Sequence, residues 1–134
     1  MKYLLDTHYL IWVIADTQKI PRKVRDLIVD RENEILISAI SLWEISLKFS
    51  LGKLDIYGFS PEDIPSLCNK MGFDLLSLTA KVTSTYHLLE AIHHKDPFDR
   101  MLIWEALSND YVLVSADTNM KKYITSGLKL VGNF

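Results

Sequence analysis

The sequence predicts an α/β domain built on a mostly parallel sheet with helices on both faces. Strand-like runs alternate with helical patterns along the whole chain, and those runs are apolar at consecutive positions instead of alternating with polar residues. Consecutive apolar positions are typical of strands that are covered on both faces, as in parallel α/β sheets. A chain of 134 residues can also bury one proper core. We therefore expect a single domain that spans residues 1–134.

Five short apolar runs are the predicted strands. They are continuous in Ile, Leu, Val, Tyr or Phe, and the fourth run is the richest in β-branched and aromatic residues. The predicted strands are Lys2–Asp6, Glu34–Ser38, Phe73–Leu78, Tyr111–Ser115 and Leu128–Val131. Because helical segments separate them, neighbouring strands are expected to run parallel.

The segments between the strands carry helix signals. We predict a helix where Ser, Thr, Asp or Pro precedes apolar residues at helical spacing, and we predict its end at a glycine. The predicted helices are Tyr9–Ala15, a segment opened by Pro21, Ser41–Leu51, a segment from Ser60 to Gly72, a segment capped by Thr79, Pro97–Asn109 and Asn119–Thr125; the predicted stops include Gly52 and Gly127. Ser41 is predicted to cap its helix, and Glu44 is predicted to complete a capping box with it.

Composition narrows the class of protein. Hydrophobic residues make up 49% and charged residues 24%, which is typical of a globular domain and not of a disordered chain. The formal net charge of −2 gives no overall basic field for nucleic acid. Cys68 is the single cysteine, which favours a reducing compartment. The apolar run Tyr9–Ala15 is too short to cross a membrane, and no signal peptide is evident, so we expect a cytoplasmic protein.

Four acids from distant parts of the chain follow predicted strands or open predicted helices. They are Asp6 after the first strand, Glu44 in the helix after the second strand, Asp99 in the first turn of its helix and Asp117 after the fourth strand. Ligands of open parallel sheets bind outside the carboxyl ends of the strands, so all four carboxylates are expected at one edge. Their mutual repulsion would require a bound metal ion or protonation of some of them.

Ligands that are all oxygen atoms predict a hard cation, Mg²⁺ or Mn²⁺. A cation of this kind suits the attack of a metal-activated water on a phosphodiester. Thr7 and Ser115 flank the acids and are expected to hold a metal-bound water or the scissile phosphate. Arg100 is expected to contact a backbone phosphate, because a guanidinium can meet it with two hydrogen bonds.

Each acid also has a purely structural interpretation. Glu44 is placed for the capping box and for an ion pair with Lys48 four residues later. Asp96 is the natural N-cap of the helix that follows it, with a supporting role at most. Asp6 and Asp117 can be turn residues. The joint placement of four acids favours the functional interpretation over these separate ones.

Asp99 is the hardest acid to explain by structure alone. It heads an apolar stripe, because Leu102, Ile103 and Ala106 follow at helical spacing. A charge directed along a buried stripe needs a partner, such as a cation or helix N–H groups. We therefore expect Asp99 to coordinate the metal ion.

Four sequence blocks resemble one known family. They are Leu4-Leu5-Asp6-Thr7-His8; Ser41-Leu42-Trp43-Glu44-Ile45 with Lys48 and Gly52-Lys53-Leu54; Asp96-Pro97-Phe98-Asp99-Arg100-Met101-Leu102; and Ser115-Ala116-Asp117. In this order and spacing they resemble the PIN-domain family, and more closely the VapC-type toxin ribonucleases of type II toxin–antitoxin pairs. The resemblance covers essentially the whole chain.

The resemblance implies a three-layer α/β/α sandwich with about five parallel strands and a Mg²⁺- or Mn²⁺-dependent endoribonuclease activity on RNA. The family's metal ligands correspond to Asp6, Glu44, Asp99 and Asp117. It also implies a homodimer and a small cognate antitoxin protein as inhibitor. Asn119 stands where many members have a further acid, so the resemblance does not extend to a full second metal site.

Two other functions are compatible with parts of the sequence. A phosphohydrolase of the haloacid dehalogenase type would use Asp6 as its nucleophile, but it requires a second Asp at the position that His8 occupies. A non-catalytic PIN-like binding module would keep the acids for structural reasons only. A ribonuclease assay with and without Mn²⁺ separates these alternatives from a metal-dependent nuclease.

Overall fold

Five parallel strands form one sheet in this computed structural model, which describes residues 1–90 and 96–132. The strand order is β3-β2-β1-β4-β5, and every neighbouring pair is parallel. The strands are β1 (Lys2–Leu5), β2 (Glu34–Ser38), β3 (Asp74–Leu76), β4 (Val112–Val114) and β5 (Lys129–Val131). All five predicted strands are confirmed, with ends that differ from the prediction by at most two residues.

The helices fill the connections, as the alternating pattern predicts. The α-helices are α1 (Thr7–Ala15), α2 (Arg22–Val29), α3 (Ala39–Ser50), α4 (Ile64–Lys70), α5 (Ala80–Thr85) and α6 (Pro97–Asn109). Short 3₁₀ segments cover Thr17–Lys19, Pro61–Asp63, Tyr86–Leu88 and Thr118–Ser126. The predicted helix over Asn119–Thr125 is thus a 3₁₀ segment, and the helix capped by Thr79 changes to 3₁₀ geometry at Tyr86.

Two hydrophobic clusters lie on opposite faces of the sheet. Leu5 and Ile37 belong to one cluster together with α1, α2 and α4, whereas Leu4 and Leu36 belong to the other together with α6. Adjacent strand residues point to opposite faces, so a strand that serves both clusters must be apolar at consecutive positions. The three-layer α/β/α architecture is therefore confirmed.

The strand order also defines where a ligand would bind. From β1 the chain forms β2 and then β3 on one side of β1 in the sheet. It then returns across the sheet and forms β4 and β5 on the other side of β1. The order reverses between β1 and β4, and this topological switch point leaves a crevice at the carboxyl edge of the sheet, where the C-terminal ends of the strands lie. Asp6 leaves β1 and Ser115 leaves β4 at that crevice.

Within the described residues, no helix combines the length and the apolar character that a membrane crossing requires.

Candidate active site at the carboxyl edge of the sheet

Asp6 is the centre of the site, directly after the central strand. Its Oδ1 accepts a hydrogen bond from the Tyr9 backbone N–H at 2.9 Å, which makes Asp6 the N-cap of α1 and starts this helix at Thr7. Its Oδ2 accepts a hydrogen bond from the Ser115 hydroxyl at 2.6 Å. Burial raises the pKa of Asp6 above the ordinary value of 3.8, although both hydrogen bonds favour the charged form.

Ser115 connects the ends of β1 and β4. It is fully buried, and the same hydroxyl that donates to Asp6 accepts a hydrogen bond from the Asp117 backbone N–H at 3.1 Å. Asp117 caps the next segment, since its Oδ1 accepts from the Asn119 N–H at 2.9 Å. The structure therefore joins Asp6, Ser115 and Asp117 across the switch point, as predicted for one edge of the sheet.

Thr7 links this centre to α3. Its hydroxyl donates to the Ser41 hydroxyl at 3.0 Å, and both side chains are buried. The predicted cap and capping box at Ser41 are wrong, because α3 begins at Ala39 and Ser38 is the N-cap. The Ser38 hydroxyl accepts from the Ile40 N–H at 3.1 Å, so the helix starts directly after β2. Ser41 is left inside the helix, where it holds Thr7.

Glu44 lies one turn beyond Ser41 and is only 3% exposed. Its Oε2 forms the predicted ion pair with Lys48. Its Oε1 is buried and has no hydrogen-bond partner among residues 1–90 and 96–132. A buried carboxylate oxygen without a partner is costly, and native structures seldom keep one without a reason. A cation at this position would satisfy it.

Lys48 lies among three acids. Burial acts to lower the pKa of its ammonium group, but the hydrogen bond to Glu44 and the negative charges of Glu44, Asp96 and Asp99 together raise it. The start of α6 is held near α3 by an edge-to-face contact of Trp43 with Phe98, whose ring centroids are 5.3 Å apart. The charge of Lys48 is therefore stabilised by the ion pair with Glu44 and, through space, by the two acids at the start of α6.

Asp96 and Asp99 have different environments. Asp96 is exposed and is the N-cap of α6, as predicted, with Oδ1 accepting from the Phe98 N–H at 2.8 Å and the Asp99 N–H at 3.3 Å. Asp99 is half-buried in the first turn, and the apolar stripe it heads is buried as expected. The neighbouring residues 91–95 lie outside the described part of the chain.

Arg100 is placed differently from the prediction. Its guanidinium lies in the interior, where it donates to the Tyr86 hydroxyl at 2.8 Å, the Tyr123 hydroxyl at 3.2 Å and the Leu89 carbonyl at 3.0 Å. The side chain is only 9% exposed. These contacts join α6 to two separate 3₁₀ regions, so Arg100 is not assigned to a substrate phosphate. Neither tyrosine has a sequence signal that identifies it as a partner.

Glu105 is a buried acid that sequence reasoning missed. It is 3% exposed, and its Oε1 has no partner within the described chain. Burial raises the pKa of Glu105 above the ordinary value of 4.5, and the Ser38 hydroxyl acts in the opposite direction. Its position three residues after Leu102 and next to Ala106, on the buried stripe, is the signal that indicates it.

The chemistry of the donor set fits a hard divalent cation. All candidate ligands are carboxylates, and Glu44 offers an oxygen with no other partner among residues 1–90 and 96–132. However, no group of three or more His, Cys, Asp or Glu side chains in the same two ranges is close enough to hold one ion. Binding of an ion to Asp6, Glu44, Asp99 and Asp117 would therefore require side-chain rearrangement.

A parallel α/β sheet with acids at its switch point belongs to the large class of α/β proteins that bind ligands at the carboxyl edge. The family model of the PIN domain matches residues 3–124. The chain therefore belongs to the PIN-domain family, as its four sequence blocks predict. No curated protein sequence is significantly similar to this chain.

Several solved structures share the fold of this chain. The VapBC2 complex from Rickettsia felis, bound to a DNA fragment from its promoter, is 20% identical with a TM-score of 0.66, and 98% of each chain is covered. VapBC-1 from nontypeable Haemophilus influenzae is 20% identical with a TM-score of 0.69 and the same coverage. FitAcB from Neisseria gonorrhoeae is 17% identical with a TM-score of 0.62, covering 96% of this chain and 95% of the other. At these identities the comparison shows the fold.

Proposed function

We propose that this protein is the toxin of a toxin–antitoxin pair and a Mg²⁺- or Mn²⁺-dependent endoribonuclease. PIN domains are generally nucleases, which supports hydrolysis of a phosphodiester. The single observation that carries the metal dependence is Glu44, a buried carboxylate whose Oε1 has no partner in the described chain. A neutral side chain would fold more easily at that position, so the charge is retained for a ligand.

Asp6, Glu44, Asp99 and Asp117 are the proposed ligands of the ion. When bound, the ion would supply a water of lowered pKa and would neutralise charge on the phosphodiester. The protein's own part is to hold the carboxylates. Ser115 and the Tyr9 N–H fix both oxygens of Asp6, and Lys48 holds one oxygen of Glu44. These contacts hold two of the four carboxylates, and a shared ion would still require side-chain rearrangement.

Thr7, Ser115, Asp96 and Lys48 have supporting roles in this proposal. Thr7 and Ser115 donate to Ser41 and Asp6, so they orient the α1 and β4 sides of the site. Asp96 keeps the first turn of α6 in place beneath Asp99. Among these four residues Lys48 carries the positive charge. Its ammonium group could therefore also contact a phosphate of the substrate.

The test is cleavage of a mixed-sequence RNA by the purified full chain, with Mn²⁺, with Mg²⁺ and with EDTA. We expect metal-dependent cleavage that Asp6→Asn and Asp99→Asn abolish, while circular dichroism shows both variants folded. Glu62→Gln is the matched control, since Glu62 is exposed and lies outside the site, and it should cleave normally. Full activity of Asp6→Asn, or activity that survives EDTA, would contradict the proposal.

We further propose a small antitoxin as inhibitor and a homodimer as the cytoplasmic form. The toxin–antitoxin complexes of the same fold support the first partner. An exposed apolar stripe on α3 and its C-cap residue supports the second: Trp43, Leu47 and the C-cap Leu51 are 60%, 36% and 58% exposed at a spacing of four residues. Light scattering should find a dimer that Leu47→Glu dissociates, whereas a wild-type monomer would contradict it.

A further inference from the structure

Lys48 brings one positive charge to three acids of the site. Its ammonium group forms an ion pair with Oε2 of Glu44 on α3. The negative charges of Asp96 and Asp99, at the start of α6, act on the same ammonium group through space. One monovalent cation of the protein therefore serves carboxylates from two different parts of the chain.

This ammonium group satisfies the buried acid only in part. Glu44 is 3% exposed, and its Oε1 has no hydrogen-bond partner among residues 1–90 and 96–132. A buried carboxylate whose role is to stabilise the fold usually has hydrogen-bond partners on both oxygens. A pair that is complete on one side only is expected where an ammonium group substitutes for a cation of higher charge.

The Lys48 side chain can leave Glu44 without disturbing the core. It is 39% exposed, so part of it already meets water. Lys48 and Glu44 also line one cavity of about 320 Å³, which gives the ammonium group space outside the ion pair. Long flexible lysine side chains commonly keep their stem on the protein while the charged end reaches water. Release of Lys48 should therefore cost little beyond the ion pair itself.

We propose that Lys48 is a built-in counter-ion, which holds Glu44 and faces the acids of α6 in the metal-free protein and releases Glu44 when a divalent cation binds. Two cations that share one carboxylate repel each other, so the binding of one favours the departure of the other. The inference rests on the proposed metal-dependent function. It names Lys48 as a positioning residue and identifies one side-chain rearrangement that a shared ion would require.

The first test is calorimetric titration of the full chain with Mn²⁺ alone. Lys48→Met keeps a long side chain and removes its charge, so it should bind Mn²⁺ about tenfold more tightly, because the ion no longer competes with an ammonium group. Lys48→Arg keeps the charge and should bind like the wild type. Lys53→Met is the matched control, since Lys53 is an exposed lysine that lines the same cavity, and its effect on the affinity should be much smaller.

Urea unfolding separates a counter-ion from a permanent structural pair. In EDTA, Lys48→Met should unfold at a lower urea concentration than the wild type, because Glu44 stays buried and loses its partner. In saturating Mn²⁺ this difference should nearly disappear, since the ion then holds Glu44 in both proteins. A permanent structural pair would give the same loss of stability under both conditions, and that result would contradict the inference.

A measurement on the wild type does not depend on the folding of any variant. Acetylation of lysine amines by an activated ester, followed by peptide mass spectrometry, reports how freely each amine meets the reagent. Addition of Mg²⁺ should raise the acetylation rate of Lys48 several-fold, because the amine leaves its ion pair. The rate at Lys53 in the same sample should stay the same.

The inference and the proposed function fail in different ways. Equal or weaker Mn²⁺ binding by Lys48→Met, or an acetylation rate of Lys48 that Mg²⁺ does not change, would overturn the inference while metal-dependent cleavage by the wild type still stands. Absence of both Mn²⁺ binding and cleavage in the wild type would overturn both.

Discussion

Arg100 and Glu44 are both buried charges, but they are satisfied to very different extents. The Arg100 guanidinium donates to two tyrosine hydroxyls and one backbone carbonyl on two other segments. Glu44 has Lys48 on one oxygen and no partner in the described chain on the other. Both residues belong to sequence blocks that resemble the family, yet of the two only Glu44 has a buried polar atom without a hydrogen-bond partner in the described chain.

The difference separates structural from functional charge. A buried ion that meets several partners stabilises the positions of those partners, and its removal leaves them unsatisfied. A buried carboxylate with an open oxygen weakens the fold, and at Glu44 the proposed metal ion accounts for that oxygen. Substitution should therefore affect stability at Arg100 and activity at Glu44. Variants of these two residues, and then of Glu105 and Trp104, put this separation to the test.

Arg100→Met should destabilise the protein by about 3 kcal/mol, because Tyr86, Tyr123 and the Leu89 carbonyl lose a charged donor. Urea unfolding followed by circular dichroism measures the loss. Arg22→Met is the matched control, since Arg22 is exposed on α2 and should unfold like the wild type. If the folded Arg100→Met protein has lost its RNase activity completely, Arg100 belongs to the site and the comparison fails.

Glu44→Gln should show the reverse behaviour. We expect roughly a 100-fold loss of cleavage rate, since a proposed metal ligand loses its charge, and no loss of unfolding free energy. The Lys48 side chain is 39% exposed and can turn to water when its partner is neutralised. Calorimetry with Mn²⁺ should find weaker binding than in the wild type. Unchanged Mn²⁺ affinity would contradict the assignment of Glu44 as a ligand.

Glu105 tests the comparison from a third position, because it is a buried acid of α6 that is not among the proposed metal ligands. Its folded-state pKa is raised above 4.5 by burial, so the folded protein binds more protons than the unfolded chain. Stability should accordingly fall as the pH rises from about 4.5 through the folded pKa. Asp6, whose pKa is also raised, acts in the same direction in the metal-free protein.

Glu105→Gln should remove its part of this pH dependence. At pH 7 we expect a gain in stability on the order of 1 kcal/mol, because a neutral amide is less costly to bury than a carboxylate. Urea unfolding at about pH 5 and about pH 8 measures the effect, with Glu62→Gln as the exposed control. A loss of stability at the higher pH would show that Glu105 is ionised and has a partner.

The fold could be predicted from the sequence because its pattern is local. β1 supplies Leu4 to one hydrophobic cluster and Leu5 to the other. Because the strand packs against both clusters, its consecutive residues must be apolar, and such apolar runs identify the strands. The start of α3 could not be predicted in the same way. Ser38 and Ser41 are both good caps before apolar residues, and only the pairing of β2 up to Ser38 decides between them.

The edge of the sheet at which the site lies could be predicted from the sequence, but the contacts among its side chains could not. The switch-point rule placed Asp6 and Asp117 together, yet the Ser115 hydroxyl that joins them bonds to a carboxylate 109 residues away in sequence. The interior position of Arg100 could not be predicted for the same reason. Its short-range neighbours suggest a surface cation, whereas Tyr123 reaches it from the far end of the chain.

Substitution of Trp104 should have the smallest effect on stability. Like the Arg100 guanidinium on the same helix, its indole N–H has hydrogen-bond partners. Its indole N–H donates to the Val82 carbonyl and the Thr85 hydroxyl, both at 3.1 Å. Trp104→Phe keeps most of the ring packing and removes these two bonds, so we expect a loss of about 1 kcal/mol and a normal cleavage rate. Thr85→Val removes only one acceptor and should be milder in the same urea experiment. If the cleavage rate of Trp104→Phe falls as far as that of Glu44→Gln, a polar group with all its hydrogen-bond partners also matters for activity. The distinction drawn between Arg100 and Glu44 would then fail.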